Sequence, residues 1–133
     1  MEKYFELAKK WEELAKEDLK MAELAEVNGL YLQSMFHSQQ AIEKTIKGLI
    51  ILILKKDPPY SHDLVRLIRD LNGEFNYGDS IEKQFSELNP FYISARYPSY
   101  RVTLSKGLSK VKVVKYLNLT KEVLSWLEQK LKS

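Results

Sequence analysis

The apolar residues of this chain recur every three or four positions over long stretches, and that period limits the fold more than any other feature. From about Lys3 to Val27, the residues Tyr4, Ala8, Trp11, Ala15, Ala22 and Ala25 keep this step, with Leu7, Leu14 and Met21 beside them. Such spacing gathers apolar side chains on one face of a helix. Asn28-Gly29 ends the stretch, because glycine takes the left-handed conformation that helix ends favour. A second helix is expected from about Tyr31 to Leu54, with Leu32, Met35, Phe36, Ile42, Ile46, Leu49, Ile50 and Ile53 as its stripe. Leu49 to Leu54 is apolar without a break, so this should be the most buried helix of the chain.

Asp57-Pro58-Pro59 breaks the second helix, since proline removes a donor and restricts the residue before it. Ser61 is expected to cap a short third helix with Leu64, Leu67, Ile68 and Leu71 inward, ended by Asn72-Gly73. Ser80 should cap a fourth through Ile81, Phe85 and Leu88, stopped at Asn89-Pro90. The stretch Phe91 to Leu104 is aromatic, basic and irregular, with Pro98 at its centre. A long last helix begins between Ser105 and Lys110 and carries Val113, Leu117, Leu124, Leu127 and Leu131. The alternation Val111-Lys112-Val113 hints at a strand, but the helical period that follows outweighs it. The expected fold is all-α, an up-and-down bundle of four to five helices in one domain, 1–133. Trp11, Phe36, Ile42, Ile46, Leu49, Ile50, Leu124 and Leu127 should be mainly buried.

Several functions are excluded at once. The chain has no Cys, hence no disulfide, thiolate zinc site or cysteine nucleophile. Its longest apolar run is far shorter than the roughly 20 residues a membrane span needs, so no membrane association is expected. The start, MEKYFELAKKWEEL, lacks the continuous apolar core of a secretory signal, and the expected location is cytoplasmic. The two His, His37 and His62, have no carboxylate at metal-ligand spacing, and no Gly-rich phosphate loop is present. No metal and no cofactor are expected.

Charge is unevenly distributed. The chain carries 21 basic and 18 acidic side chains, a formal net charge of +3, but the acids end early. Between Glu87 and Glu122 there is none. That polarity favours an anionic partner for the C-terminal part, or reads as a solvated basic helix face. Within it, NPFYISARYPSYR sets Tyr92, Tyr97 and Tyr100 around Arg96 and Arg101. Guanidinium forks match phosphate and aromatic rings stack on bases. Arg96, Tyr97 and Arg101, helped by Lys106 and Lys110, are therefore the candidate nucleotide- or RNA-binding residues. The plainer alternative makes the tyrosines core or interface residues and pairs Arg96 with an internal acid such as Asp18. Asp18 falls on the buried stripe of the first helix and needs a partner there, unless it sits at the solvated edge. Gln39 and Glu43 interrupt the stripe of the second helix, where a Gln can knit helices together. His62, after Ser61, reads first as a capping or packing residue.

Four motifs in order, Trp11 with Ala15 and Asp18-Leu19, then Gln39-Gln40-Ala41-Ile42-Glu43-Lys44, then His62-Asp63-Leu64, then Ala95-Arg96-Tyr97-Pro98, resemble the HEPN domain, the "higher eukaryotes and prokaryotes nucleotide-binding" domain. The resemblance runs from about Trp11 to Leu131. It implies a helical bundle that forms a homodimer, an implication that the eight Tyr and two Trp of this small chain support. The second helix and the Phe91–Tyr100 segment are the candidate contact surfaces. It also implies a partner, since many prokaryotic members pair with a minimal nucleotidyltransferase as toxin and antitoxin. Catalytic members are metal-independent ribonucleases with an Arg followed a few residues later by a His at the start of the final helix. Arg96 matches that Arg, but no His follows His62. Tyr and Arg titrate too high to replace it. The expectation is thus a nucleotide- or RNA-binding protein without that ribonuclease motif, with Asp18, Gln39, Glu43 and His62 as supporting polar residues and none catalytic. The alternatives are a ribonuclease with a non-standard site, with His62 brought in by the fold, and a structural dimer without a ligand.

Overall fold

A computed structural model of the chain describes residues 2–94 and 97–133, and within these it forms seven helices and no strand. In chain order they are α1 (Glu2–Val27), α2 (Tyr31–Leu54), α3 (Leu64–Arg69), α4 (Ile81–Leu88), α5 (Phe91–Ser94), α6 (Pro98–Ser105) and α7 (Lys110–Lys132). The three long helices pack mutually, α3, α5 and α6 gather along α2, and α4 packs against α3. The expected bundle is present.

α1 ends in a Schellman motif. Leu30 N–H donates to Ala25 O, Gly29 N–H donates to Glu26 O, and Gly29 has φ +73°. The tight turn sends α2 back along α1. Ala8, Ala15, Ala22 and Ala25 bury the inner face of α1, and such small side chains let α2 approach closely. Gly48 on α2 completes that approach. A Cβ built there would stand 2.8 Å from Leu127 Cδ2 of α7 and 3.2 Å from Trp11 Cβ of α1. α2 is sheathed from Ala41 to Ile51, with only Lys44 reaching partly into solvent. Leu52, Ile53 and Leu54 are half-buried, and α2 is the most buried of the helices, as expected. Six of the eight residues expected inside are buried; Trp11 and Phe36 are half-buried at the rim. The Trp11 ring lies 5.7 Å from the Lys47 ammonium, a cation–π distance.

The short helices correct two expectations. Asp63, not Ser61, is the N-cap of α3: its carboxylate accepts from Val65 N and Arg66 N, while Ser61 Oγ accepts from Asp63 N. A carboxylate is also favoured at a helix start by the dipole. Ser80 stands at the cap position of α4 but makes no side-chain capping bond. Residues 91 to 104, expected to be irregular, contain α5 and α6. Pro98 is the first residue of α6, where the missing N–H costs nothing. Ser109 caps α7 by accepting from Lys112 N at 3.2 Å.

In the core, burial pushes the Tyr116 phenol up to about 12, and the nearby Glu87 carboxylate adds to the shift. The ring is therefore neutral through the physiological range. Among the described residues, no helix is long and apolar enough to cross a membrane.

Gly48→Ala should test the three-helix contact. Alanine favours a helix interior by about 1 kcal/mol over glycine, yet forced overpacking costs about 1–3 kcal/mol. A net loss of about 1 kcal/mol in urea unfolding is expected. A gain in stability would show that the three helices do not approach this closely.

Candidate functional site

The residues singled out in the sequence fall into three groups. The first is the basic segment. α6 buries none of its residues. Tyr97, just before it, is 55% exposed and Tyr100 is 50% exposed, their rings edge-to-face at 6.0 Å. Arg101, Lys106 and Lys110 are all exposed. Arg96 lies outside the described residues. Arg101 opens onto a groove of about 480 Å³ between α6 and the start of α2, where Tyr31, Leu32 and Gln33 form the other wall. α2 begins there with no side-chain cap and no acid in its first turn. Its first amides thus carry a partial positive charge facing the groove.

The second group surrounds Asp18, which is buried. His37 Nδ1 lies 2.9 Å from its Oδ1, and Lys44 Nζ donates to its Oδ2. Asp18 therefore does have partners, both on α2 and one heptad apart, which is the spacing of one helix face. Sequence reasoning found the need for a partner but not its identity.

The third group is centred on Glu43, 4% exposed. Its Oε1 faces His62 Nδ1 at 2.9 Å, and its Oε2 accepts from Lys47 Nζ at 3.0 Å. Gln40 donates to Glu43 Oε1 at 3.5 Å and to Gln39 Oε1 at 2.7 Å. Gln39, fully buried, donates to the His62 carbonyl at 2.9 Å. Gln39 thus knits α2 to the segment before α3. His62 stacks nearly parallel on Tyr92, centroids 4.1 Å apart. Asn89, legible in the sequence only as a helix stop, ties the far side. Its side chain accepts from Leu64 N and donates to Asp63 Oδ1, both at 2.8 Å. The Glu43–Lys47 pair was legible from its four-residue spacing. The His62 and Tyr92 contacts, between elements distant in sequence, were not.

The structure brings Gln39, Glu43 and His62 together. Asp18 shares no hydrogen bond or ion pair with them among the described residues. Among those residues, no group of three or more His, Asp or Glu side chains is placed to hold a metal ion.

The paired Lys47 leaves Glu43 charge-balanced, and removing either partner strands the other. Glu43→Ala is expected to destabilise the fold by about 3–5 kcal/mol, and Glu43→Gln by less, since it keeps the shape and one acceptor. A melting temperature unchanged in Glu43→Ala would show that the cluster does not hold α2 to the α3 entry.

With this geometry in place, known proteins give a consistent comparison. The family model described as HEPN domain matches residues 8–130. The crystal structure of TT1696 from Thermus thermophilus superposes with a TM-score of 0.77 at 25% identity, covering 92% of this chain and 97% of that one. That of ST0689, an archaeal HEPN homologue, superposes with a TM-score of 0.69 at 22% identity, covering 93% and 97%. No curated protein sequence matches the chain.

Proposed function

The chain belongs to the HEPN domain family, and on that footing we propose that it binds nucleotide or RNA through the segment from Arg96 to Lys110. The observation that carries this reading is α6, a helix with nothing buried, in a stretch without a single acid, with two exposed tyrosines at its start. A segment that contributes so little to the core is free to serve a partner. Its guanidinium and ammonium groups suit phosphates, and its rings suit unstacked bases. The groove beside Arg101 and the uncapped start of α2 add favourable potential for an anion. Arg96, at the family's Arg position, belongs to the same surface in this reading. The wider role follows the family: a homodimer that partners a minimal nucleotidyltransferase as toxin and antitoxin, without the Arg–His ribonuclease motif. Leu14, Met21 and Leu24, each 43–49% exposed along α1, support an interface there. α2, offered by the sequence as a contact surface, is mostly covered by its neighbours.

A second reading, a metal-independent ribonuclease, is favoured by one observation. His62 Nδ1 is held by the buried Glu43 carboxylate, an arrangement that orients an imidazole for proton transfer.

Fluorescence anisotropy with a single-stranded RNA, with light scattering on the same samples, tests both. Affinity should fall as salt rises, with a log–log slope of about 0.7 per phosphate contact. Arg96→Ala with Arg101→Ala should reduce that slope while the melting temperature stays unchanged, and the scattering mass should be that of a dimer. Binding unchanged in the double variant would remove the proposed surface. RNA cleavage by the wild type, lost in His62→Ala, would establish the second reading instead.

A further inference from the structure

α1 packs against α2 and α7 and turns its remaining side to solvent. Leu7, Leu14 and Met21 recur there every seven residues, with Leu24 one turn on from Met21. A repeat of seven keeps apolar side chains on one line of a helix, the pattern by which two helices pair. Leu14, Met21 and Leu24 are each more than 40% exposed at 43%, 49% and 48%, so the fold of one chain leaves this seam largely open. Leu7 is half-buried and continues it toward the start of the helix.

The charges around α1 differ from side to side. Toward α7 they are met within the chain: Lys16 lies 3.6 Å from Glu12 and 4.0 Å from Glu128, and Glu23 lies 3.5 Å from Lys121. Toward α2, Asp18 is taken by His37 and Lys44. Beside the open seam, Glu13, Glu17 and Lys20 are exposed and make no ion pair among the described residues. Two such helices laid parallel would set each of these residues against its own copy, Glu13 to Glu13 and Glu17 to Glu17, and like charges repel. An antiparallel pair with Leu14 opposite Met21 has its two-fold axis between positions 17 and 18. Glu13, Glu17 and Lys20 lie on the same flank of the seam, and an axis across the helices brings equal flanks together. In that register Lys20 of one copy falls between Glu13 and Glu17 of the other, and the contact occurs twice. The two Glu17 carboxylates nearest the axis each have such a lysine beside them.

We propose that the occupant of this face is a second copy of the chain, docked through antiparallel α1 helices with Leu14 against Met21 and Lys20 between Glu13 and Glu17. The docking rests on the homodimer reading and gives it a surface, an orientation and a register. A joint between two single helices stands at the small end of specific interfaces, under about 1,200 Å², so the dimer exchanges reversibly with monomer. The orientation has a functional consequence. The Arg101 groove adjoins Gly29 and Leu30, in the turn that ends α1. The antiparallel joint therefore sets the two grooves at opposite ends, roughly 30 Å apart at a rise of about 1.5 Å per residue. Each basic surface is then complete within one copy, and neither is built across the joint.

The chain has no Cys, so introduced cysteines report the register without background, and the test has two arms on nuclease-treated protein. In the first, mild oxidation should link Glu17→Cys to itself, since position 17 lies beside the axis, within the short reach of a disulfide. Leu24→Cys alone should stay unlinked, and mixed with Lys10→Cys it should give the linked pair. Self-linking of Leu24→Cys would mean parallel helices and would overturn the register. In the second arm, sedimentation equilibrium over a range of concentrations gives the dimer dissociation constant. Lys20→Glu should raise it about 2- to 30-fold, as two exposed ion pairs are lost, and adding Glu13→Lys should recover part of that loss. These positions are all exposed, and unchanged circular dichroism checks that each variant is folded. A wild type that sediments as a monomer at every concentration would overturn the homodimer reading and this docking with it. A dimer that ignores Lys20→Glu, and whose Glu17→Cys form stays unlinked, would keep the homodimer and overturn the α1 surface alone.

Discussion

Glu43 is a carboxylate on a helix that has almost no solvent face, and much of the arrangement around α2 follows from satisfying it. An ion taken out of water is tolerated only when its lone pairs are met. Lys47 meets one oxygen from the next turn of α2, and His62 meets the other from the segment before α3. That second contact fixes where the chain re-enters the bundle after Pro58-Pro59. Gln39 repeats the tie through the His62 carbonyl. The stacked Tyr92 then carries it into α5, and Asn89 closes the ring back to Asp63 and Leu64. The polar interruptions in the α2 stripe thus position the short helices, while its apolar residues bind the long ones.

This divides the molecule into a rigid part and a presented part. α1, α2 and α7 meet at Gly48 so closely that a methyl group has little room, and close-packed interiors of this kind deform little. α6 by contrast lies on the surface with no fully buried residue, held by contacts with α5 and α2 and by Leu104 against the core. Surface elements on a firm scaffold are where binding groups concentrate. The basic residues Arg101, Lys106 and Lys110, all exposed in and after α6, are consistent with the same division of labour.

Much of this is legible in the sequence, because the period of apolar residues is a direct image of burial. Periodicity places the limits of α2 where they stand and those of α1 within a residue, while α7 starts at the far end of the range expected for it, at Lys110. Asn28-Gly29 reads as a stop and forms one. What fails is local. Ser61 and Asp63 both suit a cap, and the choice is settled by Asn89, distant in sequence, which bonds the Asp63 carboxylate. In the segment 91–104 the apolar contacts are few, Phe91 in the core and Leu104 packed against it, so no period announces α6. In the candidate site, the need of Asp18 for a partner is evident from its place on the stripe. His37 and Lys44 can be named only once α1 and α2 are set in register. The Glu43–His62–Tyr92 chain is invisible to spacing rules, since it joins three elements through side chains alone.

The central claim, that the acid-free segment is the surface that meets nucleic acid, is tested most directly by mapping backbone amide shifts while single-stranded RNA is added to the protein. The account predicts shifts concentrated from Tyr97 to Lys115 and at the α2 start beside Arg101, with the outer face of α1 around Leu14, Met21 and Leu24 unmoved at fixed protein concentration. Shifts confined to α1, or none at RNA concentrations well above those of the protein, would contradict it.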